Sequence, residues 1–323
     1  MCTAVTYRTN DHYFGRNLDY EYDFQEVVTI TPRNYIFHFR RLPPMERHYA
    51  MIGMAVVSDG YPLYFDATNE HGLSIAALNF PHSCKYMPEA AEKDNVAAFE
   101  LIPWVLGDCK NLEDVRRKLQ RTHIVDLCFS PEYPATPLHW IIADKTGAIT
   151  VEQTTDGLHV YENHVEVLTN EPPFPWHMTN LRNYMHVSPE EPENRFAHDL
   201  LIKPYSRGMG GVGLPGDLSS ASRFVKAAFT KMNSVSKDAE SASISQVFHI
   251  LGSVAQQQGC VKIGHLYEKT LYTSCCNTTK GIYYYTTYEN SQITGVRLHS
   301  GDLERNTPLT YPLIQRQQIR MVN

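Results

Sequence analysis

The chain has 323 residues, 42% hydrophobic and 20% charged, enough for one large core or two small ones, and its net charge is −6. That charge disfavours nucleic acid or an acidic membrane surface as a non-specific partner. No apolar run reaches the ~18 residues of a membrane span, and the first residues lack the basic-then-apolar order of a secretory signal, so a soluble cytoplasmic protein is expected.

At the amino end, Cys2 to Tyr7 is β-branched and alternating, Asn10-Asp11 is a turn pair, and His12 to Asn17 reads as a second strand, predicting a hairpin. With Asn10-Asp11 as a two-residue turn, Thr9 faces His12 and Cys2 lies level with Asp19, with Arg16 three residues before it. Cross-strand neighbours sit about 4.5–5.5 Å apart, so the hairpin alone brings Arg16 and Asp19 to Cys2. Only Met1 precedes Cys2, and its removal would place a thiol and a free α-amine on one residue, the nucleophile and base of an N-terminal nucleophile. A carboxylate there orients the amine and a guanidinium stabilises the thiolate. The plainer alternatives are a small second residue for Cys2 and a weak surface ion pair for Arg16 and Asp19.

Strand-like patterns follow at 26–31, 35–40, 50–57 and 73–78, then helical ones at 97–106 and 112–120. Strands return at 138–143 and 148–153. A second helical pair spans 220–232 and 243–257, where Ile244, Val247, Phe248, Leu251 and Val254 form one apolar stripe. Strands at 271–276, 282–288 and 293–298 close the chain. This order suits two stacked sheets with helices on both outer faces, in one domain over residues 1–323.

Other motifs are weaker. Gly208-Met209-Gly210-Gly211-Val212-Gly213 satisfies GxGxxG, yet Lys203 to Arg207 before it is no apolar strand, and Pro215-Gly216 interrupt the place where a helix should open. A loop is preferred to a dinucleotide site, which leaves a nucleotide-dependent oxidoreductase as the rival from another class. Seven cysteines without CxxC spacing argue against disulfides and structural zinc, and fifteen histidines contain no HExxH pair, so no metal is expected. Cys275-Cys276 reads as strand packing, and Tyr283-Tyr284-Tyr285 as an amphipathic strand.

Cys2-Thr3-Ala4, Phe14 to Asp19, Ala77-Leu78-Asn79-Phe80-Pro81, Val167 to Pro172, Leu214 to Phe224 and Gly281 to Asn290 together resemble the choloylglycine hydrolase family, in its bile salt hydrolase branch, essentially end to end. The resemblance implies the αββα sandwich of N-terminal nucleophile hydrolases and cleavage of the amide joining a bile acid to glycine or taurine. It implies Cys2 as nucleophile through a thioester, Asn79 and Asn170 as candidate oxyanion donors, Arg16, Asp19 and Arg223 around the nucleophile, and no cofactor. It also implies a homotetramer. By correspondence the steroid would meet Leu18, Phe24, Phe65, Leu127, Phe129 and Tyr133, each of which has core or loop packing as its alternative. A penicillin V acylase is the rival within the superfamily; Asn79 matches the bile salt branch, where the penicillin branch resembles it with a tyrosine.

Overall fold

The computed structural model describes residues 1–323. It opens with the expected hairpin, β1 (Cys2–Arg8) and β2 (His12–Tyr20), but with a different register. Arg8 pairs with His12, so Thr9, Asn10 and Asp11 form the turn, and the Thr9 amide donates to the Asp11 carbonyl at 3.0 Å. Cys2 therefore lies opposite Leu18, and Ala4 opposite Arg16. A one-residue slip exchanges strand faces. Cys2 and Arg16 share one face, while Asp19, expected level with Cys2, belongs to the other.

The chain continues through β3 (Val27–Thr31), β4 (Met51–Ser58), β5 (Tyr61–Asn69) and β6 (Ser74–Asn79). A parallel pair, β7 (Asp94–Ala97) and β8 (Thr122–Val125), brackets α1 (Leu101–Leu106) and α2 (Leu112–Leu119). Asn111 caps α2 by accepting from the Asp114 amide at 3.0 Å. Next come β9 (Leu138–Asp144), β10 (Gly147–Thr154), β11 (Gly157–Glu162), the two-residue β12 (Val167–Leu168) and α3 (Phe174–Asn180). A long irregular segment precedes α4 (Ser220–Asn233) and α5 (Glu240–Gly252). The chain closes with β13 (Val261–Ile263), β14 (Leu266–Asn277), β15 (Ile282–Thr287), β16 (Thr294–Arg297) and β17 (Leu309–Pro312).

Two antiparallel sheets result. One runs β12-β1-β2-β14-β15-β16, with β13 beside β14; the other runs β11-β10-β9-β6-β5-β4-β3-β17. Strand alternation builds the layers: Ile52, Met54, Ala76 and Ile141 face the first sheet, whereas Met51, Ala55, Ile75 and Ile142 pack with α1 and α2. Phe224, Val247 and Leu251 bring α4 and α5 onto the outer side of the first sheet. A Cβ on Gly15 would lie 2.5 Å from the Ser274 carbonyl oxygen and 3.1 Å from Leu251, so β2 meets β14 and α5 only with glycine there. The order is helices, sheet, sheet, helices, as the residue pattern implied.

Several expected elements differ. Residues 35–40 form no strand beyond a bridge from Phe37 to Met45: the Arg40 amide is taken by Glu100 Oε1 at 2.6 Å, and Phe37 and Phe39 sink into the layer beneath α1. The helix expected over 97–106 divides into a 3-10 turn, Ala98–Glu100, followed by α1. That expected over 243–257 begins earlier and stops at Gly252, after which the Gln256 amide is held by Thr270.

Candidate active site

The inner face of the hairpin carries Cys2 and Arg16. Arg16 Nη2 donates to Cys2 Sγ at 2.7 Å, and Nη1 donates to the carbonyls of Phe65 and Ala77, both at 2.9 Å. Phe65 is free to accept because it is the extra residue of a bulge: Met54 pairs with Asp66 and Ala55 with Tyr64, leaving Phe65 outside the ladder. Arg16 is fully buried, which opposes its charge, yet Cys2, Tyr272, Asp66 and Tyr283 together hold its pKa above the ordinary value. A guanidinium touching sulfur favours the thiolate.

The Cys2 nitrogen is served from the opposite side. It donates to Asn170 Oδ1 at 2.9 Å, and Arg223 Nη2 donates to the same oxygen at 2.8 Å. Because a guanidinium only donates, Oδ1 must face it, and the Asn170 amide nitrogen is spent on the Asn79 carbonyl at 2.8 Å. Asn170, expected as an oxyanion donor, in this structure turns its Oδ1 to the Cys2 nitrogen and its Nδ2 to the Asn79 carbonyl. Arg223, in the first turn of α4, also donates to the Cys2 carbonyl at 2.5 Å and the Thr3 hydroxyl at 2.6 Å. Burial draws its pKa below the ordinary arginine value, opposed by Asp19, Cys2 and Glu268. Asp19 accepts from the Thr270 hydroxyl at 2.6 Å and lies 3.9 Å from Arg223, on the face away from Cys2 Sγ. Its backbone reaches the chain end: the Asp19 amide donates to the Met1 carbonyl at 2.8 Å, and the Met1 ammonium donates to the Asp19 carbonyl at 2.5 Å and to Glu268 Oε1 at 2.6 Å.

Beside Cys2 opens a cavity of about 280 Å³ whose wall is made by 20 residues, 16 of them hydrophobic. Apolar enclosure with few polar groups is what an orienting small-molecule site needs. Leu18, Phe24, Phe65, Phe129 and Tyr133 line it, as does Asn79. Leu127 does not; its amide turns back to the Val125 carbonyl, and the loop reaches the cavity only from Phe129 onward. Tyr20, Tyr22 and Phe99 also form the wall. The sequence reading did not single out these three residues, since nothing local sets their rings apart from ordinary packing.

Sequence reasoning also missed the frame around Asn170. The Glu171 carboxylate accepts from the amides of His82 and Ser83 at 2.9 and 2.7 Å, and from the Ser83 hydroxyl, tying the segment after Asn79 to that carrying Asn170. Buried His177, pushed down to about 4 by burial, is neutral and donates from Nε2 to the Asn170 carbonyl at 3.0 Å. Ser220 Oγ takes the Asn170 amide at 2.8 Å. Glu171 and Ser220 stand inside strings the resemblance rests on, but the contacts they make, across 88 residues to Ser83 and 50 to Asn170, have no local signature.

The weaker motifs resolve plainly. Residues 208–213 lie in an irregular segment, with a 3-10 turn at Met209–Gly211, no strand before it, and α4 opening only at Ser220. The strand-loop-helix context of a dinucleotide site is missing. Cys275 and Cys276 are fully buried in β14; burial raises both thiols, Cys276 to about 12, so both stay protonated at neutral pH. Tyr283 and Tyr285 point inward, Tyr284 is half-buried, and no group of three or more His, Cys, Asp or Glu is placed to hold a metal ion.

Residues 2–311 match the model of the linear amide C–N hydrolases of the choloylglycine hydrolase family. A bile salt hydrolase/transferase of Lactiplantibacillus plantarum is 49% identical over 324 residues, with both chains covered completely. One from Clostridium perfringens is 38% identical over 329 residues, again covering both. Among solved structures, the C2A mutant of the Clostridium perfringens conjugated bile acid hydrolase superposes with a TM-score of 0.93 at 36% identity over the whole of both chains. A penicillin V acylase of Agrobacterium tumefaciens has a TM-score of 0.76 at 18% identity, covering 96% of this chain and 91% of its own, and shares the fold.

Proposed function

Because the chain belongs to the choloylglycine hydrolase family of linear amide C–N hydrolases, we propose that it hydrolyses the amide joining a bile acid to glycine or taurine, with Cys2 as nucleophile. The observation that carries this reading is the cavity: Cys2 and Asn79 line one apolar slot, with Arg16 on the sulfur and Asn170 on the Cys2 nitrogen. A steroid supplies apolar surface for such a wall and leaves its side-chain amide for the polar end.

The mechanism requires Met1 to be absent, so that the Cys2 nitrogen is an amine. That amine takes the thiol proton, and the thiolate adds to the amide carbonyl, forming a C–S bond and placing negative charge on oxygen. The Asn79 side-chain amide is the donor assigned to that oxygen. Collapse breaks the C–N bond, and the ammonium of Cys2 gives its proton to the departing glycine or taurine. The amine then takes a proton from water as it attacks the thioester, releasing the bile acid and restoring the thiol. Asn170 Oδ1 and Arg223 hold the nitrogen in place for both transfers. An amine in place of that water would give acyl transfer, which suits the word transferase in two relatives' names.

We also read the enzyme as a cytoplasmic homotetramer. All seven cysteines are free, which suits a reducing compartment, and no helix is long and apolar enough to cross a membrane. Residues 185–213 present Met185, Phe196, Leu201 and Tyr205 to solvent, each more than four-fifths exposed, which suits burial between copies. Incubation of purified protein with glycine- and taurine-conjugated bile salts and with penicillin V tests the substrate class. Release of glycine or taurine is expected; cleavage of penicillin V alone would overturn it.

A further inference from the structure

Asp66 is a carboxylate that the chemistry above does not use, and it is almost completely buried between the two sheets. The bulge in β5 puts it there. By plain alternation, consecutive residues Phe65 and Asp66 would point to opposite faces; with Phe65 outside the ladder, Phe65 lines the cavity while Asp66 also turns toward the first sheet. Tyr272 of β14 donates to its Oδ2 at 2.9 Å and Tyr283 of β15 to its Oδ1 at 2.8 Å. Burial raises the Asp66 pKa, and Arg16 and these two phenol donors oppose it; two donors on two oxygens suit the ionised carboxylate. Arg16, the adjacent buried cation, spends its own hydrogen bonds on carbonyls and on sulfur, none on a carboxylate. A buried guanidinium needs a counter-charge. Asp66 and Cys2 are the groups around it that can carry negative charge, since burial holds both phenols well above the ordinary tyrosine range and leaves them neutral donors.

We propose that Asp66 is a positioning residue for the nucleophile: it is the counter-charge to Arg16, and by sharing that guanidinium with Cys2 it limits how strongly the sulfur is held as thiolate. This rests on the reading of Cys2 as nucleophile. The limit has a use, because a thiolate's intrinsic nucleophilicity falls as it becomes more stable. The other charged or titratable groups around the site are Tyr20 and Glu132 on the cavity wall with Cys2, Arg223 on the Cys2 carbonyl with Asp19 and Glu268 beside it, and Tyr272 and Tyr283 beside Arg16. Asp66 alone combines full burial, two fixed hydrogen bonds and a place beside Arg16. Arg16 stays in position without it, since the Phe65 and Ala77 carbonyls hold Nη1.

The test is the pH dependence of iodoacetamide alkylation at Cys2, followed by mass spectrometry of the Cys2 peptide, with thermal melting as a check on folding. Asp66→Asn keeps the shape and removes the charge, so the alkylation midpoint should move to lower pH by about one unit, tenfold in thiolate below the midpoint. A midpoint that is unchanged or moves upward overturns the proposal. Glu26→Gln removes another buried carboxylate that acts on Tyr272 and leaves the midpoint unmoved; an equal shift there would mean a general charge effect and would also overturn it. If Asp66→Asn does not fold, Tyr283→Phe withdraws one donor from the carboxylate and should move the midpoint the same way by less; no movement is then decisive against the idea. Hydrolysis surviving Cys2→Ala would sink the nucleophile assignment itself. A reactive Cys2 with no shift in the Asp66 variants sinks only the role of Asp66.

Discussion

Replacement of Cys2 by alanine should leave the fold intact, since Cys2 is small and stands at a strand end, while bile salt hydrolysis disappears because the covalent route is gone. Cys276→Ala is the companion measurement: its sulfur is buried and held protonated by that burial, so most activity should survive. Loss equal to that of Cys2→Ala would give the vicinal pair a chemical role. Asn79→Ala should lower kcat about a hundredfold or more with a smaller change in KM, because an oxyanion donor acts chiefly in the transition state. Unchanged kcat would remove Asn79 from that role. At this scale the sequence exposed Cys2, Arg16, Arg223 and both asparagines as neighbours. It misplaced the face of Asp19 and left open the direction of the Asn170 amide, for separable reasons. The face of Asp19 depends on whether the hairpin turn holds two or three residues, which Asn10-Asp11 alone does not settle. The direction of the Asn170 amide is fixed by Arg223, more than fifty residues away, whose guanidinium offers only donors.

Among the elements, β1, β12 and α4 are joined by one carboxylate, Glu166, which takes Thr6 and Arg8 from β1 and Lys231 from α4. Burial alone would raise its pKa, but the Lys231 ammonium, Thr6 and Arg8 outweigh it and bring it down to about 2, against 4.5 when unpaired. A depressed carboxylate contributes stability that is complete above its unfolded pKa and is lost as pH falls through the folded one. Thermal melting should therefore weaken from about pH 4.5 toward pH 2, and Glu166→Gln should be less stable at neutral pH and flatter over that window. Equal acid slopes in the two proteins would exclude this cluster as a cause. None of it was legible beforehand: a two-residue strand gives no periodicity, and the ion partners are contributed by three separate stretches of chain. The bulge at Phe65 left no trace either, because its strand, β5, was itself not read: Pro62 near its start argues against a strand. Long alternating strands and the α5 stripe were legible, since each repeats its pattern often enough to fix a face.

For the whole molecule, the succession of strands, helix pair, strands, helix pair and strands sufficed for the layer order, because amphipathic helices must cover the outer faces of two sheets packed together. Strand neighbours were not readable: β14 enters between β2 and β15 across some 250 residues of chain, and only tertiary packing decides that. The proposed homotetramer, which the family resemblance implies, predicts that light scattering finds four chains per particle; a monomer at assay concentration would leave the exposed apolar groups of residues 185–213 without their proposed cover. The central claim is that a conjugated bile salt passes its acyl group to Cys2 at a free amino end. Intact-mass and peptide-mass analysis of the protein quenched while turning over a glycine-conjugated bile salt tests it most directly. The expected species is a chain lacking Met1 that carries one bile acyl group on Cys2, with no such adduct on Cys2→Ala. Turnover by a chain that retains Met1, or an acyl group found on any other residue, would contradict it.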